Sequence, residues 1–332
     1  MSGPPPHRPM LARDAKRLPT GPGWAFEIKW DGVRAIAATA GGRLRLFARS
    51  GNEITDRYPE LAELVDALGD RGAVLDGEIV ALDEHGKPSF QLLQRRMGLG
   101  NADTIRRRAI EVPARLVAFD LLELDGDSLL DLPYTERRAR LADLGLDDAR
   151  WQTPGHFIDD GEALLEAARR QRLEGVVAKR LGSPYRPGQR SSDWLKLRIR
   201  MRQDFLIGGW LPALSGRSER LGSLMLGVWD RLPEAGAGRG APAQLVYAGA
   251  VGSGLSEAAI ADLTERLRPL RLEDSPFDLG IGPKRPNPVW CRPELVCSVE
   301  FSEWTHEGTL RQPAYKGLRD DIDPERIIRE DG

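Results

Sequence analysis

Hydrophobic and polar residues alternate over residues 24 to 49, in two runs separated by Ala40-Gly41-Gly42. Alternation with a period of two, broken by a glycine pair, predicts a β-hairpin. The same pattern predicts further strands at 73–82, 115–124, 175–180 and 193–200. Apolar residues at helical spacing predict helices at 59–68, 89–97, 135–144 and 161–172. The first 200 residues therefore combine helices with mostly short strands.

The pattern changes after Phe205, where strand-like segments dominate. They lie at 205–211, 222–230, 243–252 and 295–305, with one helical stretch at 256–268. The pattern of this half of the chain predicts a small β-barrel. Residues 233–243 are so rich in glycine, proline and alanine that they predict a hairpin loop. We therefore expect an α+β chain of two domains, residues 1–201 and 202–332.

Composition excludes several protein classes. Of the 332 residues, 41% are hydrophobic, which is enough to form a real core. The chain has no apolar run of the roughly 18 residues that a membrane span needs, and its start lacks the apolar segment of a secretory signal. Cys291, Cys297 and the scattered histidines lack the spacing of a zinc site. We expect a cytoplasmic, monomeric protein that does not bind membranes.

Charge is balanced overall, with 48 basic and 50 acidic residues, which excludes a strongly basic nucleic-acid coat. Only seven of the basic residues are lysines, so a lysine indicates a site that needs an amine. Basic residues concentrate at 186–202, which predicts contact with a phosphate backbone. The arginines expected to face DNA there are Arg186, Arg190, Arg200 and Arg202.

Three short segments could carry chemistry. Lys29 closes an apolar strand beside Asp31 and Arg34, an arrangement that suits either a lysine nucleophile or a surface ion pair. The carboxylates of Asp76, Glu78 and Glu174 stand beside glycines, and they suit either Mg²⁺ or solvated strand ends. Alternation predicts that three cations share one strand face, Lys196, Arg198 and Arg200. Such a face suits either phosphate binding or exposure to water.

Six segments occur in an order that resembles the ATP-dependent DNA ligases of the covalent nucleotidyltransferase superfamily. The nearest resemblance is to the ligase module of bacterial end-joining ligases, and it covers nearly the whole chain. The segments are KWDGVR at 29–34, ARSGN at 48–52, LDGEIVA at 75–81, VAFDLLELDG at 117–126, EGVVAKR at 174–180 and WLKLR at 194–198. The resemblance implies an N-terminal, ATP-grasp-like nucleotidyltransferase domain and a C-terminal OB-fold barrel.

The resemblance also implies a mechanism. Lys29 attacks the α-phosphorus of ATP, the AMP passes to the 5′-phosphate of a nick, and the 3′-hydroxyl displaces it. Asp31 orients or deprotonates Lys29. The implied cofactors are ATP and Mg²⁺, with Mn²⁺ as a substitute. The implied partners are nicked duplex DNA and, as candidates, a Ku-like end-binding protein or a repair polymerase.

The remaining roles are implied in the same way. Glu27 reads the adenine edge, while Phe119 and Val176 sandwich the ring. Arg34 and Arg49 are assigned to the ribose or the phosphates, Glu78 to the ribose or a metal, and Glu174 to a metal. The residues assigned to the α-phosphate are Lys179, Lys196 and Arg198.

One departure concerns the last motif. The family usually has Arg-x-Asp-Lys, and here Arg319 and Asp321 are followed by Ile322, so the lysine that faces pyrophosphate is absent. This change bears on the efficiency of the first step. The alternatives are an RNA ligase, an mRNA-capping guanylyltransferase and a non-catalytic OB-fold nucleic-acid-binding protein.

Overall fold

The computed structural model describes residues 7–69, 71–213, 220–231, 243–280, 282 and 287–330. The chain divides into two compact units, Met1–Ile199 and Arg200–Gly332. The units meet between residues 199 and 200, and the boundary expected from the sequence lies between residues 201 and 202. Only the last residue of the predicted hairpin loop at 233–243 belongs to the described residues.

The elements of the first unit follow the alternation of its sequence. Its strands are β1 Leu11–Asp14, β2 Trp24–Ile28, β3 Val33–Ala40, β4 Arg43–Ala48, β5 Ala73–Ala81, β6 Ala114–Leu124, β7 Asp127–Ser128, β8 Trp151–Gln152, β9 Phe157–Ile158, β10 Gly175–Arg180 and β11 Arg190–Arg198. Its helices are α1 Leu64–Leu68, α2 Phe90–Gln94, α3 Ala102–Glu111, α4 Tyr134–Ala142 and α5 Gly161–Arg170, with 3-10 turns at Thr55–Arg57 and Pro59–Leu61.

In the described part of this unit, the strands form two sheets. One has five strands in the order β1-β11-β10-β2-β9, in which only β1 and β11 pair in parallel. The other has the order β4-β3-β5-β6-β7, with β8 added in parallel beside β6. The predicted hairpin is correct for β3 and β4, whereas residues 24–28 belong to the other sheet.

The chain crosses between the sheets at Lys29–Gly32. The backbone passes so close to β5 that a Cβ on Gly32 would lie 2.1 Å from the carbonyl oxygen of Ile79. Only glycine fits such an approach without displacing the neighbouring strand. The crossing therefore fixes Lys29 at the end of one sheet, directly beside the other.

Each face of the five-stranded sheet has its own core. One face packs on α5 through a cluster that includes Phe26, Val176 and Leu165. The opposite face meets the six-stranded sheet through a cluster that includes Phe119 and Trp194. The far face of the six-stranded sheet carries the largest core of this unit, on which the short helices pack. The unit is thus layered, with a space between two sheets.

The second unit is built mainly of strands. Its elements are β12 Met201–Pro212, β13 Leu221–Trp229, β14 Leu245–Val251, α6 Glu257–Leu267, a 3-10 turn Arg268–Leu270, β15 Arg271–Leu272, β16 Val289–Cys291, β17 Val296–Phe301, β18 Glu303–Trp304, β19 Leu310–Arg311, β20 Ala314–Leu318 and a 3-10 turn Pro324–Arg326. Within the described residues, neighbouring strands run in the order β14-β13-β12-β17-β20. A bridge from Ser253 to Ala314 brings the two ends of this order together.

Among the described residues, the structure contains no helix with the length and apolar character needed to cross a membrane. Helix α3 was not predicted, because only Ile105 of its ten residues is buried. The predicted helix at 59–68 is a 3-10 turn followed by the short α1.

A buried ion pair attaches α4 to the central strand β6. Arg137 donates from Nε and Nη2 to the two carboxylate oxygens of Asp120, at 2.8 and 3.0 Å, and neither side chain is exposed. Because Arg137 also donates to the carbonyl oxygens of Leu132 and Ser183, its charge is well compensated. These bonds therefore fix helix α4 to β6.

We predict that Asp120→Asn destabilises the first unit by about 3–5 kcal/mol, because it leaves the Arg137 charge buried without its counterion. Urea unfolding followed by tryptophan fluorescence measures the change. Asp125→Asn, at an exposed pair with Arg71, is the matched control and should cost less than about 1 kcal/mol. Equal effects of the two substitutions would contradict this account.

A pocket between two sheets

The pocket lies between the two sheets of the first unit, and strand alternation decides which side chains line it. On β2, Glu27 faces the pocket while Phe26 packs on α5. On β10, Val177 and Lys179 face it. Other residues that line the pocket include Lys29, Arg34, Arg49, Glu78, Phe119, Arg190, Trp194, Lys196 and Arg198.

Lys29 occupies one end of this pocket. Its backbone N–H donates to the carbonyl oxygen of Gly175 at 2.9 Å, and its Nζ forms an ion pair with Glu174. Gly175 lets β10 lie close to β11, because a Cβ there would lie 2.0 Å from the carbonyl oxygen of Leu197, and the residue has a φ of +152°. Burial raises the pKa of the Glu174 carboxyl. The lysine thus has a partly buried carboxylate as its immediate partner.

Two more cations lie at the Lys29 end. Arg198 donates to Asp14 at 2.6 Å and lies 3.7 Å from Glu174, and Lys196 Nζ lies 3.6 Å from Asp14. Burial and the neighbouring Arg198 lower the pKa of Lys196. Asp14 is largely exposed, so these cations can exchange it for a phosphate oxygen at little cost. This end of the pocket suits an anion.

Glu27 and Lys179 occupy the opposite end. Lys179 Nζ lies 2.8 Å from Glu27 Oε2, and the Tyr134 hydroxyl donates to Glu27 Oε1 at 2.5 Å. Lys179 also lies over the rings of Phe119 and Trp194, 4.5 and 4.4 Å from their centroids. Burial lowers the pKa of Lys179. The aromatic rings and the buried carboxylate make this end suitable for a flat, polar-edged ligand.

Arg34 connects the two sheets across the pocket. It donates to both oxygens of Asp76 at 2.6 and 2.7 Å and to the carbonyl oxygen of Met10 at 3.2 Å. Asp76 also accepts from the Tyr185 hydroxyl at 2.6 Å. The guanidinium lies 4.6 Å from the centroid of the Phe119 ring. Arg34 is therefore held rigidly, with one side toward the pocket.

The carboxylate of Glu78 faces the same space from β5. Burial raises its pKa to about 8, against the opposing effect of Arg34 and Lys29. The described residues contain no group of three or more His, Cys, Asp or Glu side chains that could hold a metal by itself. The nearby charge of Glu174 contributes to the raised pKa of Glu78. Two such carboxylates fit Mg²⁺ when phosphate oxygens and water complete its shell.

Two of the expected roles need correction. Val176 was expected to contact the adenine ring, but it is fully buried in the core on the α5 side, and Val177 takes the pocket-lining position. Strand alternation is the reason, because neighbouring residues point to opposite faces. Lys179 was expected at the α-phosphate, but its Nζ pairs with Glu27 at the end opposite Lys29.

The other site residues predicted for the first unit lie at the pocket or close to it. Arg49 is exposed at the pocket, and Arg190 also lines it while donating to the carbonyl oxygen of Ala12 at 2.6 Å. The chain places Asp31 close enough to Glu174 to help raise its pKa. Arg186 lies outside the pocket lining, at 3.8 Å from Asp193.

In the second unit, Arg200 donates to the carbonyl oxygen of Gln312 and Arg202 to the Ser298 hydroxyl. The prediction that Arg200 shares a strand face with Lys196 is wrong, because strand β11 ends at Arg198. Arg319 pairs with both Asp321 and Asp204, and Ile322 packs partly buried against the core of this unit.

Sequence reasoning missed the roles of Tyr134, Asp14 and Asp76 at the pocket. Asp76 was noted only as a possible metal carboxylate, although its place two residues before Glu78 on one strand puts both on the same face. Tyr134 and Asp14 come from elements remote in sequence, and neither carries a local signal that predicts its contact.

A slot with aromatic walls, a buried carboxylate at one end and a lysine among cations at the other has the features of a nucleotide-binding site. Comparison with known proteins also indicates a nucleotide-binding family. A family model described as "ATP dependent DNA ligase domain" matches residues 9–198, and one described as "ATP dependent DNA ligase C terminal region" matches residues 217–322.

The chain is 40% identical over 308 residues to the multifunctional non-homologous end joining protein LigD of Mycobacterium bovis, covering 92% of this chain and 37% of that protein. It is 32% identical to a DNA ligase of Thermococcus fumicolans, covering 96% of this chain and 57% of that one. A solved structure titled "mycobacterial DNA ligase D complexed with ATP and MES" is 37% identical, covers 98% of both chains and gives a TM-score of 0.53.

The chain belongs to the ATP-dependent DNA ligase family. Among the relatives compared, it is similar to the ligase region of the LigD end-joining proteins, and it spans about 37% of the length of the mycobacterial ones. The resemblance drawn from the six sequence segments is confirmed.

We predict that Glu78→Gln raises the melting temperature more at about pH 8 than at about pH 5. A carboxyl whose pKa is raised on folding, here from 4.5 to about 8, stabilises the folded state below its unfolded pKa and loses this contribution as pH rises through its folded pKa. The glutamine stays neutral and avoids that loss. Differential scanning fluorimetry without nucleotide, in EDTA, measures it.

The matched control is Glu84→Gln, an exposed glutamate in the turn after β5, which should follow the wild type at both pH values. If Glu78→Gln keeps the wild-type dependence on pH, the Glu78 carboxyl is not the group described here.

Proposed function

We propose that the chain seals nicks in duplex DNA, using ATP and an AMP carried on Lys29. The observation that carries the proposal is the position of Lys29 Nζ, at the junction of two sheets, paired with Glu174 and close to further cations. An amine in such surroundings can serve as a nucleophile once its proton has been removed.

In the first step, the lone pair of Lys29 Nζ attacks the α-phosphorus of ATP. A P–N bond forms, the bond to the pyrophosphate oxygen breaks, and the Nζ proton leaves to Glu174 or to water. Glu174 is the carboxylate in contact with the amine, and Asp31 lies near it. Lys196 and Arg198 would neutralise the negative charge that develops on the phosphates.

The second and third steps move the same adenylate. An oxygen of the 5′-phosphate at the nick displaces Lys29 from the AMP phosphorus, and the amine regains a proton. The 3′-hydroxyl then attacks the activated 5′-phosphorus and loses its proton to water. The P–O bond to AMP breaks, so AMP leaves as the phosphodiester forms. The chain's contribution is to align the reacting groups and neutralise charge, which is the main source of catalysis in phosphoryl transfer.

The base and the sugar would lie toward the opposite end. Phe119 and Val177 border the slot in which the adenine ring would stack, and Glu27 would accept a hydrogen bond from its edge. Arg34 and Arg49 would contact the ribose or the phosphates. Glu78 and Glu174 would hold Mg²⁺ or Mn²⁺ together with phosphate oxygens, and such an ion supplies charge neutralisation during the displacement.

The second unit would hold DNA as an OB-fold barrel. The strand order β14-β13-β12-β17-β20, with its ends joined by the Ser253–Ala314 bridge, supports a five-stranded barrel. Arg186, Arg190, Arg200 and Arg202 would contact the phosphate backbone, and Arg319 and Asp321 belong to the last motif. The names of the LigD relatives support end joining as the setting. A Ku-like protein or a repair polymerase would be a partner in that setting.

We predict that Lys29→Arg abolishes sealing of a nicked duplex with ATP and a divalent cation, because a guanidinium keeps the charge but does not lose its proton. The loss should be at least about 1,000-fold in rate, since the covalent step has no substitute nucleophile. Gel electrophoresis of a labelled nicked duplex measures it. Lys87→Arg, in the turn after β5, is the matched control and should seal at the wild-type rate.

Other outcomes decide between the alternatives. Partial activity of Lys29→Arg would reduce Lys29 to a charge and contradict the proposal. Sealing only of nicked RNA would favour an RNA ligase. A GMP adduct on the protein, formed only with GTP, would favour a capping enzyme. Duplex binding without sealing or adduct would favour a non-catalytic binding protein.

A further inference from the structure

We propose that Tyr134 is a positioning residue that makes the pocket select adenine over guanine, by holding the Glu27 carboxylate as a fixed acceptor at the base end. The inference rests on the proposed function, in which Glu27 reads the edge of the base. Tyr134 comes from the first turn of α4 and belongs to none of the six segments on which the family resemblance depends.

The hydrogen bond between Tyr134 and Glu27 is shielded from water. Glu27 is 3% exposed and Tyr134 is fully buried, and the hydroxyl donates to Oε1 at 2.5 Å. Burial and the nearby Glu27 charge raise the pKa of Tyr134 well above its ordinary value, so the hydroxyl keeps its proton and remains a donor. Oε1 of the carboxylate therefore accepts a hydrogen bond from Tyr134, and Arg138 Nε lies 3.8 Å from the same oxygen.

Lys179 fixes the second oxygen. Its ammonium lies 2.8 Å from Oε2, donates to the carbonyl oxygen of Phe119 at 3.3 Å, and lies over the Phe119 and Trp194 rings. Because this lysine is enclosed by aromatic rings, it cannot swing away with the carboxylate. Glu27 is thus held from both sides, and its free lone pairs can only accept hydrogen bonds.

An acceptor with a fixed position distinguishes the two purines. Adenine carries an amino donor at the position where guanine carries a carbonyl acceptor. A rigid carboxylate accepts a hydrogen bond from the amino group of adenine and repels the carbonyl oxygen of guanine. Discrimination between the two bases therefore depends on how firmly the carboxylate is held. Helix α4 is itself fixed through the Arg137–Asp120 pair, so the Tyr134 hydroxyl cannot follow a displaced Glu27.

The test compares adduct formation with ATP and with GTP, followed by intact-protein mass spectrometry, in wild type and Tyr134→Phe. We expect the ratio of kcat/KM for ATP to that for GTP to fall at least about tenfold, the effect of one lost hydrogen bond to a charged group. KM for ATP should rise more than kcat falls, because the tyrosine touches no reacting atom.

Tyr185→Phe is the matched control. It removes the hydroxyl of another buried tyrosine beside the pocket, but that hydroxyl donates to Asp76 and not to Glu27. It should alter both nucleotides in the same proportion and leave their ratio at the wild-type value. A loss of packing common to buried tyrosines would instead shift both variants alike and overturn the proposal.

Glu27→Gln provides a second test that does not depend on Tyr134. Its amide can turn a donor toward the carbonyl of guanine, so the use of GTP should rise relative to ATP. An unchanged ratio in folded Tyr134→Phe would overturn the role of Tyr134, and an unchanged ratio in Glu27→Gln would overturn Glu27 as the acceptor through which Tyr134 acts. Absence of any AMP adduct in the wild type would overturn the proposed function instead.

Discussion

The ion pair between Lys29 and Glu174 joins the residue that follows β2 to the residue that precedes β10. Both positions exist because glycines let backbones approach closely, Gly32 at the crossing between the sheets and Gly175 beside β11. The crossing delivers the lysine to the gap between the sheets, and the pair holds its amine there. The remaining features of the pocket are arranged around this one amine.

A gap between two sheets that contains charges requires that each charge have a partner. At the base end, Glu27 is matched by Lys179 and Tyr134. In the middle, Arg34 is matched by Asp76. At the Lys29 end, by contrast, Lys196 and Arg198 are matched by an exposed carboxylate, Asp14, which a ligand can replace. The distribution of partners therefore gives the pocket a fixed end and an exchangeable, anion-binding end.

Much of this was predictable from sequence, for identifiable reasons. Strands such as β5 and β6 were predicted because their residues alternate or form apolar runs, and Lys29, Glu78 and Lys196 because their segments match ordered motifs. The exchange of Val176 for Val177 shows where motif reading fails, since only the register of β10 decides which valine faces the pocket. The contact of Tyr134 with Glu27 joins residues 107 positions apart, and no local pattern encodes it. The expectations of a monomer and of a cytoplasmic location stay predictions.

Locating the AMP on the protein tests the central claim most directly. Purified protein, freed of any bound nucleotide, is incubated with ATP and a divalent cation, digested under alkaline conditions that preserve a phosphoramide, and analysed by peptide mass spectrometry. The account predicts AMP on the peptide that contains Lys29 and on no other lysine peptide. AMP on Lys179 or Lys196, or sealing of nicks by a protein that never carries AMP, would contradict it.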